Sequence, residues 1–92
     1  MIVRILTEGQ YKFPAAELDE LNAIDNQIVD LVALDDEEGF RKLFDEMLEM
    51  VRNHGEPLAM EEIEESDAII PEPDITLEEA KELFVGVGVV PD

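Results

Sequence analysis

Residues 15–55, AAELDELNAIDNQIVDLVALDDEEGFRKLFDEMLEMVRNHG, decide the fold. From about Ala15 to Leu34 the apolar positions Leu18, Leu21, Ile24, Ile28, Leu31 and Val32 recur at spacings of three and four. Asp19, Glu20, Asp25 and Asp30 turn largely away, so the stretch predicts an amphipathic helix. Asp35, with Glu38 three positions later, has the form of a second helix start, each side chain placed to satisfy the open N–H groups of the first turn. Phe40, Leu43, Phe44, Met47, Leu48 and Val51 then form one apolar face. That helix ends near Asn53-His54-Gly55, where Gly can take the left-handed terminal conformation and Arg52 and His54 complement the negative pole of the dipole. The link through Asp35-Asp36 is short, which predicts an antiparallel helical hairpin.

Working outward, Ile2–Leu6 is β-branched and aliphatic, and Gln10-Tyr11-Lys12-Phe13 alternates after Glu8-Gly9, which predicts a β-hairpin turning at Gly9. Pro14 stops its second strand. A two-stranded hairpin is marginal alone, so its apolar side should pack on the helices. On the other side, Glu56–Asp74 reads as a loop broken by Pro57, Pro71 and Pro73, with a short third strand at Ala68-Ile69-Ile70 that can pair with the hairpin. Thr76 and Glu79 form a second capping-box signature, opening a short helix through about Phe84 with Leu77, Ala80, Leu83 and Phe84 inward. The tail Val85–Val90 is apolar, but its two glycines weaken a strand reading. The expected class is α+β: an N-terminal β-hairpin, with a short strand near 68–70, packed on an antiparallel helical hairpin, plus a short C-terminal helix, all in one small domain over residues 1–92.

The composition restricts function. Twenty-five Asp and Glu face 6 Lys and Arg, a net charge of −19 on 92 residues. Leu, Ile, Val and Phe nevertheless make up 30 of the 92 residues, above the roughly 20% below which highly charged chains fail to form a core. Self-repulsion at this density is relieved as the Debye length shortens from about 10 Å at 0.1 M salt to about 3 Å at 1 M. High salt is the expected medium. A docking surface for a basic protein, or a nucleic-acid mimic, is the second reading of the charge, and calcium binding the third. Direct binding to nucleic acid or an anionic bilayer is disfavoured because like charges would meet. Cysteine is absent, which removes disulfides and thiolate chemistry. The N-terminus lacks a signal-peptide core and no stretch approaches the roughly 20 apolar residues of a membrane span, so a cytoplasmic protein is expected.

No reaction is legible. His54, the only histidine, lies at a predicted helix end beside Gly55, which suits capping better than catalysis. Glu61, Glu62, Glu64, Glu65 and Asp67 can gather a cation, yet an acidic run in a loop is ordinarily a solvated surface. Ser66 and Thr76 lack a base or nucleophile-elbow context, and Gly86-x-Gly88 has no following helix with which to make a phosphate loop. No cofactor or metal site is expected. Met47 and Met50, with Phe44 and Val51, suggest an adaptable groove for a partner helix; Met47 suits the core and Met50, off the main stripe, suits contact. An apolar strip between acidic residues would be the mark of such a groove.

MIVRILTEGQY at residues 1–11, LDELNAID at 18–25, SDAIIPEPDITLEEAKEL at 66–83 and GVVPD at 88–92 together resemble the PspA-associated domain family, PspAA. The resemblance runs from Met1 to Asp92 and is least distinct in the second helix and at Glu61–Asp67. It implies a non-enzymatic partner of PspA-like coiled-coil proteins in an envelope-stress system, reaching the membrane only through that partner. It brings no catalytic residues. The acidity points to a haloarchaeal member. On this reading Arg4, Gln10, Tyr11 and Asn22 should lie near one another as a partner-binding surface, with Met50 as a further contact. The competing class is an acidic nucleic-acid mimic or inhibitor of a basic protein, whose affinity would collapse with salt. A homodimer is compatible with a chain this small, since assembly adds buried surface.

Overall fold

The structure is a computed structural model that describes residues 1–59, 61–62, 64–84 and 88–90. Strands β1 (Ile2–Ile5) and β2 (Gly9–Lys12) form the expected antiparallel hairpin, with Ile2 opposite Lys12 and Arg4 opposite Gln10. The turn needs left-handed backbone at Thr7 (φ 75°) and an extreme φ of 132° at Gly9, a value that only a residue without Cβ adopts readily. After Pro14 a 3-10 turn over Ala15–Glu17 leads into α1 (Leu18–Ala33), whose first turn carries Asp19 and Glu20 against the positive helix pole.

Two corrections concern the helix ends. The second helix, α2 (Glu37–His54), is capped by Asp36, whose side chain accepts from the Gly39 N–H at 3.0 Å. Asp35, read from the sequence as the cap, instead reverses the chain at φ 57°, a left-handed conformation that Asp tolerates better than bulkier residues. At the far end Gly55 is extended (φ −85°, ψ 157°) and not left-handed. It carries the chain directly into β3 (Glu56–Pro57), a two-residue strand paired with β2 inside the segment read as loop. A Cβ at Gly55 would stand 2.5 Å from the Val51 carbonyl oxygen and 3.1 Å from Tyr11 Cβ, so the close passage of α2 past β2 requires glycine there.

The strand expected at Ala68–Ile70 is present as β4 and pairs parallel with β1, giving the sheet order β3-β2-β1-β4. The helical hairpin lies in the crossover between β1 and β4 and covers one sheet face. Val3, Ile5 and Ile70 from the sheet meet Leu21, Ile28, Phe44, Met47 and Val51 from the helices in a single buried cluster. Each such side chain contributes about 1.5–3 kcal/mol by leaving water. The short helix α3 (Leu77–Leu83) has the expected capping box, Thr76 Oγ1 accepting from the Glu79 N–H and the Glu79 carboxylate accepting from the Thr76 N–H. Ala80 and Phe84 are buried, with Phe84 edge-on to Phe40 at 6.5 Å, whereas Leu83, expected inward, is 49% exposed. Of the tail read over Val85–Val90, residues 85–87 lie outside the described residues, and the described residues 88–90 form no strand. Among the described residues no helix is long and apolar enough to cross a membrane.

Candidate functional site

Strand alternation sorts the predicted contact residues onto two faces. Val3, Ile5 and Tyr11 point toward the helices, and Ile2, Arg4, Gln10, Lys12 and Ile69 share the other face through their register. Gln10 is not available there: it is 8% exposed, and its amide holds the acidic segment against the sheet. Nε2 donates to the Glu64 carbonyl and to Ser66 Oγ (2.9 Å), while Oε1 accepts from the Glu64 N–H at 3.3 Å. Arg4 beside it and Lys12 make no ion pair among the described residues, and Ile69 is 52% exposed.

Tyr11 belongs to a different group. Its hydroxyl donates to Glu8 Oε1 at 3.4 Å, and Glu8 in turn accepts from Arg52 Nε at 2.9 Å and from Nη2. Arg52 also reaches Glu49 at 2.9 Å. The hydrogen bond from Arg52 holds the Glu8 carboxyl below its ordinary range, and burial followed by the Glu8 charge pushes the Tyr11 phenol up. These links fasten the hairpin turn to the last turn of α2. Asn22 is half-buried on α1 in the helical layer. The sheet therefore separates Arg4 and Gln10 from Tyr11 and Asn22, because neighbours along a strand face opposite ways; the four do not form one patch.

A second surface runs along the outside of the helical hairpin. Leu31 and Leu43 line a groove with Asp30, Gly39, Lys42 and Glu46. A Cβ on Gly39 would come within 3.0 Å of Leu31 Cδ2, so the helices approach closely at this end. Met50 lies seven residues beyond Leu43 and Ile24 seven before Leu31, which in an antiparallel pair continues the same seam. All four apolar side chains are half-buried.

A family model described as PspA-Associated protein matches residues 1–92. The chain belongs to the PspA-associated family. Neither the curated proteins nor the solved structures include a match. In this PspA-associated chain the strings that carry the resemblance build the framework: MIVRI contains β1, DAII contains β4 and TLEEAKEL contains α3 with its cap. LDELNAID and GVVPD, 60 residues and more apart, meet through Asp25, whose carboxylate accepts from the N–H groups of Val89 (3.0 Å) and Val90 (2.9 Å).

Asp25 corrects the sequence reading, which placed it on the solvent side. It is 1% exposed. Its place four residues after Leu21 and three before Ile28 puts it on the apolar stripe, and an acid on that stripe is the signal that was available. Arg41 was missed as well. It donates to the Pro73 carbonyl at 2.7 Å and to that of Ile75, and its guanidinium lies 5.5 Å from the ring centres of Phe40 and Phe44. The PspA-associated chain thus uses its best polar groups to hold its own backbone. His54 sits at the α2 terminus with Nδ1 against Glu17. Among the described residues no group of three or more His, Asp or Glu is arranged to hold a metal ion.

Proposed function

We propose that this PspA-associated chain is a non-enzymatic adaptor that docks, as one small domain, on a PspA-like coiled-coil protein of an envelope-stress, phage-shock system. The observation that carries this reading is the family match over the whole chain. The engagement of Asp25, Gln10 and Arg41 in backbone support agrees with it, since these groups hold the fold together. On this reading the protein works in a salty cytoplasm and meets the membrane only through its partner. The net charge of −19 supports that medium. Arg4, on the outer sheet face, and Met50, on the helical seam, are the contact residues of this adaptor.

Affinity capture in about 2–3 M potassium chloride, where the Debye length is below about 3 Å, tests the proposal. Apolar burial persists under these conditions, so recovery of a PspA-like coiled-coil protein is the expected result. Recovery of basic proteins alone, at low salt alone, would instead identify an acidic mimic. Absence of a PspA-like gene beside this one and its relatives would also count against the adaptor.

A further inference from the structure

The seam of the helical hairpin has the form of a helix-binding groove, and we propose that it receives an amphipathic helix of the partner with Lys or Arg flanking its apolar stripe. The inference rests on the adaptor reading and names the segment that the adaptor grips. Leu31 and Leu43 line the groove, and helical periodicity continues its two sides through Ile24 and Met50, each seven residues away along its helix, which is about 10 Å along a helix axis. An occupant helix meets these pairs with apolar side chains at i and i+7 and a further one at i+3 or i+4 between them.

Charge selects the occupant. Asp30 and Glu46 line the groove, and Glu20 is exposed one turn before Ile24. Against them stands Lys42, which makes no ion pair among the described residues. A second copy of the chain would set acidic rim against acidic rim within a molecule already at −19. A helix with basic flanks meets complementary charge at the rim and apolar surface at the centre. At Gly39 the Leu31 side chain already packs against the α2 backbone, 3.0 Å from where a Cβ would stand, so Leu31 forms part of the groove wall there.

The probe is a synthetic helix of about 21 residues, long enough to hold its conformation, with leucines at that spacing and lysines on both flanks. Its control is a peptide of the same composition with the leucines scattered. Binding is measured calorimetrically in about 0.5 M potassium chloride, which screens bulk attraction to the acidic surface, and is mapped by amide chemical shifts. The patterned peptide should bind, shift Leu31 and Leu43, and outcompete the control. Met50→Glu should weaken it about tenfold or more, the loss expected for one central apolar anchor. Glu46→Lys, at an exposed position that leaves the fold intact, should weaken it about threefold, and Lys12→Gln, exposed on the outer sheet face, should leave it unchanged. Equal binding of the two peptides, indifference to both groove variants, shifts confined to the Arg4 and Ile69 face, or concentration-dependent dimerisation through the groove would each overturn the proposal. Capture of the PspA-like protein separates the two readings. If wild type and Glu46→Lys capture it equally in low salt and the Met50→Glu protein does too, the groove falls and the adaptor stands. If nothing is captured while the peptide behaves as described, the adaptor falls and the groove stands.

Discussion

Gly88 lies directly against the carboxylate of Asp25: a Cβ at Gly88 would overlap Oδ2 and come within 2.7 Å of Oδ1. The carboxylate cannot swing aside without releasing the Val89 and Val90 N–H groups it accepts. Gly88→Ala should therefore destabilise the protein by about 1–3 kcal/mol, the usual cost of overpacking. Asp25→Ala should cost about 2–4 kcal/mol by leaving backbone donors buried without an acceptor. Chemical denaturation in potassium chloride measures both, and a double variant no worse than Asp25→Ala alone would show that the two residues act through one contact.

Gln10 should behave as a clamp on the acidic segment. Gln10→Ala removes its bonds to Glu64 and Ser66 and should lower stability by about 1–2 kcal/mol. Amide exchange should accelerate from Glu64 to Asp67 while the helical core keeps its protection. Uniform acceleration throughout the chain would contradict a local role.

Acid should weaken the link between hairpin and helix. Glu8 titrates below its ordinary 4.5 in the folded state because Arg52 hydrogen-bonds its charged form. A depressed folded value means that the stabilisation is complete above the unfolded value and is lost as pH falls through the folded one. The pair is solvent-facing, so Glu8→Gln should cost only about 0.5–1 kcal/mol at pH 7. The gap between the two proteins should close below about pH 4.5, and a gap that persists at pH 2 would rule the ion pair out as its source.

Arg41 bridges two carbonyl groups, of Pro73 and Ile75, with one planar guanidinium over Phe40 and Phe44. Lysine keeps the charge but lacks the fork and the stacking plane. Arg41→Lys should lose about 1–2 kcal/mol. Thermal melts of this variant that match wild type would show the bridge to be dispensable.

Salt should stabilise the protein as charge repulsion is screened. The melting temperature is expected to rise between about 0.1 and 1 M potassium chloride, where the Debye length falls from about 10 Å to about 3 Å. Replacing Glu61, Glu62, Glu64 and Glu65 by Gln should flatten that rise. An unchanged slope would locate the repulsion elsewhere on the surface.

Local signals in the chain account for much of the fold. Apolar spacing through Phe40, Phe44, Met47 and Val51 marked the buried face of α2, Thr76 with Glu79 marked the start of α3, and Gly9 marked the hairpin. Each depends on residues within one or two turns of one another. The candidate surfaces were legible only in part. Arg4 and Met50 were named from the sequence, and Met50 falls on the half-buried seam. Gln10 and Tyr11 are adjacent in the chain, yet pleating sends one to the acidic segment and the other to Glu8. The parallel pairing of β1 with β4 and the strand at Glu56–Pro57 have no local mark, because a strand's partner is set by where the intervening helices return the chain.

By itself the sequence determined the α+β class, the two amphipathic helices, the hairpin, the last helix cap and a net charge of −19, since periodicity, capping and charge are properties of neighbouring residues. Only the tertiary structure decided that Asp25 is an internal acceptor, that Gln10 is a clamp and that Leu31 and Leu43 line a groove with Asp30 and Glu46. Those roles depend on which distant backbone groups arrive within hydrogen-bonding reach, and that is settled when the helices close over the sheet and no polar group they bury can be left without a partner.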